Sequence, residues 1–175
     1  MKTKRIVLLA VFCAMALTTF MIENLFPPLF VPGAKMGLAN VFVLLAILLL
    51  SPTDALVVVI VKTTLGCLFT NPSAIVYSLV AGLCSWLVMV LLVEFLQQKL
   101  SVIAISICSA VCHNIAQLLV FCAISQTPQM IFYLPHLTIC GVVAGIIVGV
   151  AVFAVVKVLS KNTLLRMLNY ENFSN

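Results

Sequence analysis

Apolar residues fill this chain in long blocks, and short polar punctuation divides the blocks. Read by length and punctuation, the pattern predicts six helical spans, at about 5–26, 37–50, 54–69, 73–96, 101–125 and 134–159. Pro27-Pro28 ends the first span, Ser51-Pro52 the second, Asn71-Pro72 the third, and Pro128 stops the fifth. Spans two and three are short for a bilayer crossing. Short connections require neighbouring helices to run antiparallel.

Composition agrees with the pattern. Of 175 residues, 65% are hydrophobic and 7% charged, where a soluble domain needs about a quarter charged to cover its surface. Mean hydropathy is +1.33. The expected fold is therefore an all-α polytopic membrane protein: one integral domain over residues 1–175, a six-helix bundle. The N-terminus imitates a signal peptide, with basic "KTKR", an apolar run and "AMA" at 14–16. Apolar sequence runs on to Phe26, so an uncleaved first span is expected.

The net charge of +5 sits beside the apolar runs, as membrane anchors do, and does not point to nucleic acid. Orientation follows from it. With the N-terminus inside, Lys2, Lys4, Arg5, Lys99, Lys157, Lys161 and Arg166 face the cytoplasm, and Lys35 alone faces outward. Both termini are expected in the cytoplasm of a multi-pass plasma-membrane protein. Seven cysteines are scattered without a CxxC pair. They read as small apolar filler, and neither metal nor cofactor is expected.

Charge inside a bilayer costs about 2.5–3.5 kcal/mol at a helix centre, so each buried ionisable residue is a candidate. Glu23 lies near the outer end of span one and Lys62 in the middle of span three. "AVCHNIAQLL", 110–119, sets His113 and Gln117 on one helix face with Asn114 beside them. These three suit a ligand cavity, or bonding to a neighbouring helix. "YSLVAGLCSWLVM", 77–89, carries Tyr77 and the small-residue face Ser78, Gly82 and Ser85, which reads as a packing stripe first and a ligand wall second. Gly141, Gly145 and Gly149 form a packing stripe. "LFPPLFVPGAKMGLAN", 25–40, is a stiff, basic, glycine-bearing loop that leads into Asn40. Such a loop suits a wall over a cavity, with Lys35 and the helix start drawing anionic or polarised groups. Asp54 and Glu94 read as solvated or capping groups.

Glu23, "PGAKMGLAN", "YSLVAGLCSWLVM", "CHNIAQLL" and "YLP" together resemble the Gx transporter family, often labelled heptaprenyl diphosphate synthase component I, over about residues 5–159. That family is similar to the S components of energy-coupling factor (ECF) importers. The resemblance implies six helices, cytoplasmic termini and an outward-opening ligand cavity. It also implies an AxxxA face on helix one for a transmembrane coupling subunit, itself driven by ATPase subunits; Ala10 and Ala14 fit that spacing. Glu23, Lys35, Asn40, Lys62, Tyr77, Ser85, His113, Asn114 and Gln117 are the substrate-binding candidates. Where the family often carries arginine, Lys62 keeps the charge without the bidentate fork. Prenyl-chain elongation needs clustered aspartates to hold Mg²⁺ on a diphosphate. This chain has one aspartate, Asp54, and no phosphate-binding loop, so no catalysis is expected in it. Capture of a small vitamin- or cofactor-precursor-like molecule is the leading expectation. A non-catalytic accessory role in isoprenoid or quinone synthesis is the alternative.

Overall fold

In the computed structural model, residues 2–25, 37–96 and 99–160 are described. They hold six α-helices and no strand: α1 (Lys2–Leu25), α2 (Asn40–Leu49), α3 (Pro52–Thr70), α4 (Ile75–Leu96), α5 (Val102–Ser125) and α6 (Leu134–Ser160). Short 3₁₀ turns, Pro72–Ala74 and Pro128–Tyr133, lead into α4 and α6. Among the described residues, five segments are long and apolar enough to cross a bilayer. The protein is a multi-pass helical membrane protein.

Punctuation sets the boundaries. Ser51 caps α3, its hydroxyl accepting from Asp54 N at 3.2 Å, with Pro52 in the first turn. Asn71, before Pro72, is extended and ends α3. Ser101 caps α5 by accepting from Ala104 N at 3.2 Å. Gln126 ends α5 in the left-handed region at φ 52°, two residues before Pro128.

The second span differs most from its expected extent. Gly37 has φ +72°, outside helical space, so residues 37–39 form a turn and the helix proper begins at Asn40. Ten residues rise about 15 Å, half of a hydrocarbon core of about 30 Å. The short helix sits in the interior, packed against α3, α1, α6 and α4. Val43, Leu44, Leu45, Ala46 and Ile47 lie in the largest apolar cluster beside Phe12, Ala16, Val58, Val59 and Met89. The outer surface is apolar as well: Leu68, Phe69, Val76, Ile139, Val143 and Phe153 are all exposed. Lipid is the solvent that such a surface requires.

The most extensive helix pair is α5 with α6, followed by α4 with α5. Glycine sets the first of these. A Cβ on Gly145 would stand 2.5 Å from Ile107 Cα, and one on Gly149 2.7 Å from Ile103 Cα. The backbones touch where Gly141, Gly145 and Gly149 were expected to pack. At one end of the bundle, Arg5 donates to Asp54 Oδ2 at 2.7 Å and to Ser51 at 2.8 Å. Asp54 is thus an ion-pair partner as well as a first-turn acid. Near that end Trp86 Nε1 donates to Pro52 O at 3.0 Å, tying α4 to the start of α3.

Candidate functional site

The opposite end holds the polar residues. Glu23 is in the last turn of α1, Asn40 opens α2, Lys62 is midway along α3, Ser78 is in the first turn of α4, and His113 is midway along α5. Apart from Glu23, each of these is buried. They converge on one narrow pocket, lined by Phe20, Glu23, Gly37, Ala39, Asn40, Lys62, Thr63, Ser78 and His113. It has room for little more than a water molecule. Five helices contribute to it.

Two contacts organise the pocket. A carboxylate oxygen of Glu23 accepts from Leu38 N, so an acid from α1 satisfies a backbone donor just ahead of α2. The positive end of the α2 dipole favours an acid there. Lys62 Nζ donates to Asn40 Oδ1 at 2.5 Å. Lys62 is 3% exposed, and a charge at that depth requires such engagement. Gly37 fits tightly here: a Cβ on it would come 3.1 Å from Asn40 Nδ2. The start of α2 is therefore held from α1 by Glu23 and from α3 by Lys62.

Of the binding candidates read from the sequence, Glu23, Asn40, Lys62 and His113 line this pocket. Tyr77, Ser85, Asn114 and Gln117 are buried elsewhere. The Tyr77 ring meets Phe121 edge-on, centroids 5.6 Å apart, in an apolar cluster with Phe20, Ala39, Cys67 and Ala74. Ser85 lies two turns beyond Ser78 on α4. Asn114 turns away from the pocket and donates from Nδ2 to Leu137 O at 3.0 Å, joining α5 to α6. Gln117 is buried one turn along α5 from His113. Lys35 lies outside the described residues. Ala10 and Ala14 are exposed on the outer face of α1, whereas Ala16 is fully buried.

Phe20, Thr63 and Ser78 also line the pocket and were not among the candidates. The signal for them was depth. Phe20 is one turn before Glu23, Thr63 is beside Lys62, and Ser78 follows the 70–73 turn expected at the same end as the 25–40 loop.

A bundle of apolar helices around a small, charge-bearing interior pocket defines the class: a multi-pass membrane protein with a buried polar site. The chain belongs to the heptaprenyl diphosphate synthase component I family, whose model matches residues 12–155. No curated protein and no solved structure matches it.

Proposed function

We propose that the protein is the substrate-capture (S) component of an ECF-type importer in the plasma membrane, taking up a small vitamin- or cofactor-precursor-like molecule. One observation carries this reading. Polar side chains from five helices meet at one pocket, at the end of the bundle that the basic-residue asymmetry turns outward. A merely structural polar contact joins two helices; this one gathers Glu23, Asn40, Lys62, Ser78 and His113. Binding anything larger than water requires the lining side chains to move apart.

The chain itself is non-catalytic in this reading. Its one aspartate is bonded to Arg5 at the far end of the bundle, where it cannot join Glu23 around a diphosphate-bound metal. Energy then comes from a partner. Ala10 and Ala14 offer an exposed small-residue face on which a coupling-subunit helix can approach closely.

Two experiments test the reading. Ala10→Leu/Ala14→Leu should leave thermal stability unchanged and abolish uptake and co-purification of the coupling and ATPase subunits. Unchanged co-purification would overturn the assigned docking face. Orientation is read by cysteine accessibility: Ser73→Cys should label from outside intact cells, and Thr53→Cys only after permeabilisation. Reversed labelling would turn the pocket to the cytoplasm and end the importer reading. A second reading takes the family description at its word: a membrane accessory to prenyl diphosphate synthesis. Co-purification of a soluble prenyl synthase instead of ATPase subunits would establish it.

A further inference from the structure

Several hydroxyls in the helices of this protein bond back to their own backbone. Thr18 donates to Ala14 O at 2.8 Å, Thr64 to Ile60 O at 2.6 Å, Thr70 to Gly66 O at 2.7 Å, Ser125 to Phe121 O at 2.6 Å and Thr138 to Leu134 O at 2.9 Å. This is how a hydroxyl avoids an unmet bond among apolar neighbours. Ser78 does not. It is 3% exposed, it lines the pocket, and its Oγ has no hydrogen-bond partner among the described residues. Ser85 and Ser106 also lack one, but neither lines the pocket. Where such a hydroxyl lines a pocket, water or a ligand can meet it.

The charges of the pocket lead to a complementary conclusion. Glu23 is engaged by the backbone ahead of α2 and Lys62 by Asn40. With histidine counted neutral, the one acid and the one base lining the pocket among the described residues cancel. A ligand with net charge would lose its hydration in a membrane-embedded site whose described lining offers no opposite net charge. Ser78 adds one hydroxyl donor and acceptor to the lining. Phe20 adds an apolar wall.

We infer that the site selects a net-uncharged, hydrogen-bonding molecule — an alcohol, an amide or a neutral nitrogen heterocycle — and that Ser78 is the contact that reads its polar group. Phosphorylated and diphosphate compounds are selected against. This rests on the pocket being the ligand site of the proposed function, but not on the coupling partner.

The test uses the full-length protein in proteoliposomes, with Ser78→Cys and three thiol reagents of similar size. These are 2-hydroxyethyl, 2-sulfonatoethyl and 2-(trimethylammonio)ethyl methanethiosulfonate: uncharged, anionic and cationic. Modification at residue 78 is read by mass spectrometry of the proteolytic peptide, which separates it from the native cysteines. Rates are normalised to Ser73→Cys, an exposed position at the same end of the bundle. The uncharged reagent is expected to react at residue 78 at least roughly tenfold faster than either ion, as the penalty on burying charge requires. Equal or faster reaction with the sulfonate would make this an anion site and overturn the inference. The same result with the trimethylammonium reagent would overturn it in favour of a cation site. Reaction with none would mean that Ser78 faces a closed void, which also overturns it. Failure of the importer reading shows separately, as uptake without coupling partners or no uptake at all; the reagent rates do not depend on it.

Discussion

Helix α5 has two polar faces that do opposite work. His113 faces the pocket among residues from α1, α2, α3 and α4. Asn114, the next residue, faces α6 and bonds a backbone carbonyl there. About 100° of helical rotation separates them. On the α6 side everything favours close approach: three glycines, backbone against backbone, and one amide across the seam. On the pocket side the helices stand off and leave charges and an unsatisfied hydroxyl between them. The comparison teaches that a polar residue in a membrane helix is interpretable only with its neighbour. The same chemistry is glue where the backbones touch and lines a pocket where they part.

The seam should be the more easily broken. Gly145→Ala adds about 1 kcal/mol of helix propensity in favour of folding. Against this, the new Cβ meets Ile107 Cα at 2.5 Å, and backbone cannot swing aside as a side-chain end can. Overpacking costs roughly 1–3 kcal/mol and sometimes more, so the net effect is destabilising. Gly145→Leu should be worse and give the largest loss of thermal stability of any change considered, measured in detergent by unfolding followed through helical signal. If Gly145→Leu melts as the wild type does, the close α5–α6 contact is wrong.

The pocket should respond through charge balance. Lys62→Met leaves Glu23 in the site without its compensating cation, and Glu23→Gln leaves Lys62 without its compensating acid. Each alone should destabilise. The double variant restores neutrality, so the two changes should be non-additive, with a coupling of roughly 0.5–3 kcal/mol in the compensating direction. Strict additivity would separate the two residues and remove the basis for a neutral ligand.

The legibility of the sequence follows the same division. Spans could be read because apolar length and proline punctuation are local properties. The glycine stripe was legible for the same reason: Gly141, Gly145 and Gly149 share one face of one helix. The half-length of α2 was only hinted at, because Gly37 can continue a helix or leave it, and its φ of +72° follows from tertiary contacts through Glu23 and Asn40. Pocket membership depends on depth and rotation together. Ser78 and Ser85 lie on one face, and only depth, set by the 70–73 turn, puts the first at the pocket. Asn114 and His113 share a depth, and only rotation parts them. Neither quantity is written in one helix alone.

The smallest expected effect is also the most discriminating, because it compares neighbours at equal depth. Asn114→Ala removes one interhelical hydrogen bond. Such bonds within membranes average about 0.6 kcal/mol and reach about 1.7. The acceptor, Leu137 O, lies within α6 one turn before Gly141, where the helical ladder supplies it another donor. The lower figure therefore applies: a slight drop in melting temperature, with no change in affinity for the ligand of the proposed function. His113→Gln should do the reverse. A polar side chain of comparable reach stays in the pocket, so stability should hold. Replacing the imidazole forfeits at most one neutral hydrogen bond to the ligand, about 0.5–1.5 kcal/mol. Affinity should fall roughly twofold to tenfold on that scale, read by native mass spectrometry of the protein titrated with a ligand of the proposed class. If instead Asn114→Ala weakens binding and His113→Gln only lowers the melting temperature, the two faces of α5 have been assigned in reverse. The site would then lie against α6, where the glycines leave it least room.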